Sequence, residues 1–363
     1  MAITEKYLDT SLGLGADAGT EAAPWMSWSS AAAGLATGER LNVKAPASRI
    51  VLASNNNLSF GAVGSGQSPI HIRGYSSSIG DGGIAEYGGL SLTFGDNVLV
   101  EGIDIANSAN TTTACFDSTG YNTTFYRCKG SKSGANADDI RIFDCTKGGN
   151  VVNCYAKLSG ENNATGSLEG VIDITNGVAY GNIIRITDFV GKGSRMGGIK
   201  LTSSSEHASA AVRNLIYTDR GVKPSFALAG IVCEGMTRTD QGGYHIVNNT
   251  IDNFVNGIQM FGIGTTATPG TPVLVNNLIT SCPTACYGMT SSEAPPQILF
   301  VNNAIDGVVA GVVPIDIQRI TKEPYTDADN RDYSPNAKRG GGAVCRARAA
   351  DVNGTLDIGA IAV

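Results

Sequence analysis

Val247-Asn248-Asn249-Thr250-Ile251, Val275-Asn276-Asn277-Leu278-Ile279 and Val301-Asn302-Asn303-Ala304-Ile305 are three copies of one phrase. The second Asn returns after 28 and then 26 residues. Looser copies run backward through Asn214, Asn182, Asn153, Arg127 and Glu101, at steps of 26 to 35 residues. A period of this size marks stacked repeats. Asn tolerates left-handed backbone angles and bonds to neighbouring amides in turns, so identical turns stacked on one another can carry an Asn ladder.

A second column interleaves with the first. It runs through Leu90-Ser91-Leu92, Ala114-Cys115-Phe116, Ile140-Arg141-Ile142, Ile172-Asp173-Ile174 and Ile199-Lys200-Leu201. It continues through Ile231-Val232-Cys233, Ile258-Gln259-Met260, Met289-Thr290-Ser291 and Ile315-Asp316-Ile317. The outer members are mostly apolar and the middle ones mostly polar, which is strand alternation with one face buried. Two short strand phases per repeat predict a coil that closes on itself and stacks at ~4.8 Å. Nine rungs give a rod of roughly 40 Å before end coils are counted. Ile140, Ile172, Ile199, Ile231 and Ile258 are expected to stack inside it. Segments between strands, such as 203–209 and 262–272, read as loops rather than the helices a Rossmann or barrel enzyme needs.

Composition agrees with an all-β solenoid. Of 363 residues, 47 are glycine, 16% are charged and 7% aromatic. That is too apolar for disorder and too glycine-rich for a helical protein. Net charge is -6 and the isoelectric point about 5.1, which speaks against nucleic acid as a partner. No apolar run approaches the ~18 residues that insert into a membrane. Met1 to Gly15 carries Glu5, Lys6 and Asp9 and lacks the order of a signal peptide, so cytoplasmic synthesis followed by release through lysis is the expectation. The eight cysteines do not have zinc spacing and read as buried free thiols. Cys128 and Cys154 share a phase and are expected to stack unbonded.

With these repeats the chain resembles the pectin-lyase-like right-handed parallel β-helix superfamily, in its phage-encoded virion-protein type. The resemblance covers most of the chain. It rests on the Asn-Asn phrases, on Asp96-Asn97-Val98-Leu99-Val100-Glu101-Gly102-Ile103, and on both ends. Asp17 to Trp25 is similar to the lead-in of such chains, and an amphipathic piece from Trp25 to Leu35 is expected to cap the first coil. Asp332-Tyr333-Ser334-Pro335, Asp351-Val352-Asn353-Gly354 and Asp357-Ile358-Gly359-Ala360 are similar to their closing segments. The implied layout is a lead-in and cap over 1–40, the β-helix over 41–320 and an irregular closing segment over 321–363. The superfamily holds lyases, glycosidases, tailspikes and non-enzymatic virion proteins, so the fold does not choose among them.

The resemblance sets tests for chemistry. The Gly-His-Gly and Arg-Ile-Lys phrases of polygalacturonase-like hydrolases are not in this sequence. His71 and His245 stand in strands, where a structural role is expected. Asp138 and Asp139 are adjacent and so face opposite ways in a strand. Gly61 to Ser68 has P-loop spacing, but Gln67 stands where Lys is required. Gly13-Leu14-Gly15 lacks the context of a dinucleotide site. No cofactor or metal is expected. Arg141, Asp173 and Lys200 share one outward phase on three rungs; a lateral ion ladder is the first reading and a glycan groove the second. Glu206 beside His207, in the loop after Lys200, is the isolated acid–base candidate.

The function these features predict is structural: a bacteriophage virion protein, either a head decoration or a fibre- or spike-like appendage, located in the virion. A tailspike usually adds a particle-binding domain ahead of its β-helix, and the early start here weakens that version. Expected partners are further copies of the chain, as a trimer, other virion proteins, and a bacterial surface polysaccharide. Outward Ser91, Gln259 and Thr290 suggest a wall of low charge suited to self-association. The alternative is an extracellular lyase or glycoside hydrolase acting on an acidic or capsular glycan, with Asp173, Lys200, Glu206 and His207 as its catalytic candidates.

Overall fold

The computed structural model describes residues 3–12, 18–60, 69–107, 114–133, 140–162, 169–191, 196–203, 207–220, 228–234, 243–263, 272–290, 298–310, 314–315, 317–339, 349–351 and 354–356. The side chains of a few strand residues within these ranges are not described. Glu206, Asp138, Asp139, Asp316, Cys345, Gly61 to Ser68 and Gly13 to Gly15 lie outside the described residues.

Strands dominate, and all the strands of the coil pair in parallel, each with a strand of the next coil. The chain is a parallel β-helix of the right-handed type. Among the described residues one sheet contains twelve strands in a single stack, from Thr4–Leu8 to Pro314–Ile315. At ~4.8 Å per coil this makes a rod of roughly 50 Å. The other large sheet contains nineteen strands among the described residues and divides into two stacks. The middle coils therefore have three strands, as in Gly149–Val152, Tyr155–Asn162 and Glu169–Thr175, and not the two that the sequence pattern predicts, whereas near the amino-terminal end one long strand, Ala85–Phe94, pairs in both stacks.

The Asn-Asn phrase spans the tight turn between the first and second strands. In Val247-Asn248-Asn249-Thr250, Asn248 is left-handed (φ 57°) and Asn249 points inward. The ladder is continuous: Asn182, Asn214, Asn249 and Asn277 each donate the backbone N–H to the Oδ1 of the next Asn, at 2.9–3.0 Å. Each also donates its Nδ2–H to that Oδ1 and to a carbonyl of the previous coil. Before Asn182 the sequence alignment slips. Asn153 and Arg127 occupy the left-handed turn column, with φ of 52° each, and Glu101 ends a strand. The ladder position there belongs to Cys154, whose N–H donates to Asn182 Oδ1, and to Cys128 below it.

The triplet column holds in its middle and slips at both ends. Ile172, Ile199, Ile231 and Ile258 are register partners on successive coils and are fully buried. Phe143, not Ile140, stacks beneath Ile172, although Ile140 is also buried. Below Phe143 the partner is Phe116, which pairs with Leu92, so Phe116-Asp117-Ser118 and Leu92-Thr93-Phe94 replace the expected triplets. Above Ile258 stands Cys286 rather than Met289, and Ile315 belongs to the first sheet. Stacking continues into the aromatic core, where Phe116 and Phe143 lie 4.8 Å apart at 7° and Phe60 and Phe94 5.4 Å apart at 13°.

A helix, Trp28–Gly34, closes the amino-terminal end. Ser27 caps it by accepting from Ser30 N–H, and its buried Trp28 sits edge-on to Tyr87 at 5.2 Å. The Thr4–Leu8 strand precedes this helix and pairs with Glu39–Lys44. At the other end the chain folds back. Tyr325 and Tyr333, on a two-stranded hairpin, pack against Tyr217, Leu215, Leu278 and Ala304 on the outer face of the second stack. Tyr325 OH bonds Thr280 Oγ1 at 2.6 Å. The seven described cysteines are buried and free, Cys128 and Cys154 among them. Burial pushes the Cys145, Cys154 and Cys233 thiols well above their usual range.

Candidate functional site

Asp173 lies between Ile172 and Ile174, which face the core, so its side chain faces outward. Its register partners are Asp144 on one side and Lys200 on the other. Asp117 extends the column below Asp144, and Val232 then Gln259 extend it above Lys200. Three carboxylates are thus stacked on consecutive coils and end in one ammonium.

Lys200 Nζ bridges three coils. It stands 3.4 Å from Asp173 Oδ2 and 3.2 Å from Glu234 Oε2. Glu234 is on the coil after Lys200, paired in register with Thr202. Arg141 is not in the column, contrary to the sequence phase. It lies three residues before Asp144 on the same coil and turns its guanidinium onto the Asp144 carboxylate. The mismatch arises because Ile140-Arg141-Ile142 and Phe143-Asp144-Cys145 are both apolar–charged–apolar, and only the second has the strand register. Glu169, at the start of the Asp173 strand, accepts from the backbone N–H of Ile140 at 3.3 Å.

The cluster is outward but not open. Asp173 is 4% exposed and Asp144 also 4%. Burial raises the Asp173 carboxyl to about 6, against the opposing pull of Lys200 and Arg141. Burial also disfavours charge on Lys200, but Asp173 and Glu234 more than offset it and hold the ammonium above its usual range. At neutral pH Lys200 is therefore a fixed cation and a hydrogen-bond donor, not a base. Ser91 and Gln259, expected on an exposed wall, are 1% and 8% exposed, and Ser91 Oγ bonds the Ala114 carbonyl. The side chain of Thr290 is not described.

Of the predicted site residues, the structure brings together Asp173 and Lys200. His207 is exposed and follows the Lys200 strand, where its backbone carbonyl accepts from Ser203 Oγ at 2.9 Å. Among the described residues Glu234 completes the cluster, and the sequence reading missed it. Its signal was alternation carried two residues past Val232, an apolar residue that hides the polar phase. His71 is a strand residue whose Nε2 lies 3.3 Å from Glu101 Oε2. Among the described residues no group of three or more His, Cys, Asp and Glu has metal-binding geometry.

Other outward charges also join neighbouring coils. Arg185 makes a two-point bond to Asp219, and burial aside, that contact holds the carboxylate low. Arg220 bonds the fully buried Asp252 at 3.4 Å and Glu323 of the closing segment at 2.6 Å.

No family model and no curated protein matches the chain. Solved structures do. A rhamnogalacturonan lyase aligns over 96% of this chain and 95% of its own, at 14% identity and a TM-score of 0.57. A pectate lyase aligns over 98% and 96%, at 13% identity and a TM-score of 0.49. A family-6 polysaccharide lyase from Pseudopedobacter saltans aligns over 84% and 93%, at 13% identity and a TM-score of 0.37. The chain shares the parallel β-helix fold of the first of these. At these identities the likeness is one of fold.

Proposed function

We propose that this β-helix is a structural rod of an extracellular particle, a bacteriophage virion protein of decoration or appendage type. The observation that carries this reading is the use of the outward charges. Lys200 ties together the coils of Asp173 and Glu234, Arg185 that of Asp219, and Arg220 that of Asp252 with the closing segment. The same ionic groups that a groove would present to substrate are engaged in holding coils to one another. With the Asn ladder and the stacked phenylalanines they make a rod suited to survive outside a cell. In this reading the chain is a homo-oligomer, a trimer by its resemblance, docked to other virion proteins and facing bacterial surface polysaccharide. Mass spectrometry of purified virions and light scattering on the isolated chain test it. A chain that is monomeric and never co-purifies with particles sinks it.

One observation favours a second reading, cleavage of an acidic or capsular glycan. Asp173 is protonated up to about pH 6, whereas the Glu234 side chain is 43% exposed, and both meet the same ammonium. Two carboxyls held in unlike environments suit an acid and a base at a glycosidic bond. Asp173 would protonate the leaving oxygen, Glu234 would take the proton of water, and Lys200 would hold the sugar carboxylate. Release of saturated reducing sugar from bacterial glycans, abolished by Asp173→Asn and Glu234→Gln, supports this reading. No release from any glycan removes it.

A further inference from the structure

At the amino-terminal end the ends of three neighbouring strands, Thr4–Leu8, Glu39–Lys44 and Ile70–Tyr75, border a cavity of about 510 Å3. The volume is that of a small-ligand site, typically ~300–1,000 Å3. It lies on the first sheet, away from the Asp173–Lys200 cluster on the third stack, and its chemistry is independent of either reading of that cluster.

Tyr7 and Tyr75 line it, each partly exposed, so each offers ring surface and a hydroxyl. Pro24 and Ile79 add apolar surface, and Ser77 and Ser78 add hydroxyls. This mixture of flat apolar faces and hydroxyl partners matches a pyranose, which has C–H faces and an equatorial rim of hydroxyls.

The wall that carries Ser77, Ser78 and Ile79 is held in place before any ligand arrives. Asp81 accepts from the backbone N–H groups of Ser76, Ser77, Ser78 and Gly83 at 2.7–3.1 Å, and from Ser76 Oγ at 2.7 Å. These bonds hold its carboxyl far below the usual range. A loop fixed on one carboxylate is a preorganised wall, and preorganisation lowers the entropy cost of binding.

Charge narrows the ligand. Among the described lining residues Lys44 is the cation, and it is already engaged by the buried Asp9, at 3.1 Å. Glu21 adds a further carboxylate, close enough to both phenols to add to the upward shift that burial gives them. The described lining is therefore net negative and offers acceptors to hydroxyl donors. A uronic acid would meet like charge there.

We propose that this groove binds an uncharged oligosaccharide. The probe is an array of immobilised oligosaccharides, uncharged and uronate-bearing, screened with the intact chain and with Tyr75→Ala and Ser78→Trp. Ser78 is exposed on the loop, so Ser78→Trp fills the groove without touching the core, and an unchanged melting curve verifies its fold. The expected result is binding confined to uncharged glycans and at least ~10-fold weaker in both variants, the loss of one good contact. Absence of binding to every uncharged glycan, preference for uronate-bearing ones, or equal binding by Ser78→Trp would overturn the proposal.

Discussion

Asp173 and Lys200 occupy one register position on adjacent coils, and their side chains meet at 3.4 Å on the outer face of the sheet. One is a carboxyl raised by burial, the other an ammonium raised by its two acidic neighbours. Their stability effects therefore fall in different pH windows.

Between 3.8 and about 6 the folded chain keeps a proton on Asp173 that the unfolded chain gives up. The folded state binds more protons there, so this group makes stability fall as pH rises through that window. Asp173→Asn should flatten that part of the stability profile. The Lys200 contribution is complete below 10.5 and is lost only above it, so it does not mask the effect. Urea unfolding at several pH values reads the slope, and an unchanged slope in the variant refutes the assignment.

Arg220 neutralises Asp252, whose side chain is fully buried. Arg220→Met leaves that carboxyl without its cation and also releases Glu323. A loss of about 3–5 kcal/mol is expected near neutral pH. Asp252→Asn in the same background should restore part of it, and a double-mutant cycle with no coupling would show that the pair is idle.

Asn249 sits mid-ladder. Asn249→Leu removes the acceptor of Asn214 N–H and a donor to the Ala211 carbonyl, both in the interior. With ~1–3 kcal/mol for each orphaned group, a loss of about 2–6 kcal/mol is expected. Asn248→Gly, at the left-handed turn position (φ 57°), should be nearly neutral. Equal losses at the two positions would contradict the distinction between turn and ladder.

Native thiols should resist alkylation. The described cysteines are buried, and burial raises Cys286 to about 12. Iodoacetamide should label them only after denaturation, and non-reducing peptide mapping should recover Cys128 and Cys154 unlinked. Rapid labelling of either in the folded chain contradicts their place in the ladder.

The Asn phrases were legible because a buried, self-bonding side chain repeats with the coil. The middle of the triplet column was legible because Ile172-Asp173-Ile174 and Ile199-Lys200-Leu201 alternate cleanly. The slip at Ile140 comes from a period of two, which identifies a strand face but not which of two adjacent triplets pairs. The second stack stayed hidden for another reason. Its outward positions include Leu215 and Leu278, buried by Tyr325 and Tyr333 from the closing segment, so both faces read apolar. Of the candidate site, Asp173 and Lys200 could be read from their phase. Asp144 and Glu234 could not, because register and reach across coils decide them.

The returning hairpin also determines how the rod bears load. It touches Tyr217, Asp252 through Arg220, Thr280 and Ala304, which belong to four successive coils. A pull on Arg339 therefore reaches the hairpin before it reaches the last coil. The contacts that resist it act side by side along the rod, in shear, and must yield together. Without the hairpin the same pull would peel the end coil away one backbone bond at a time.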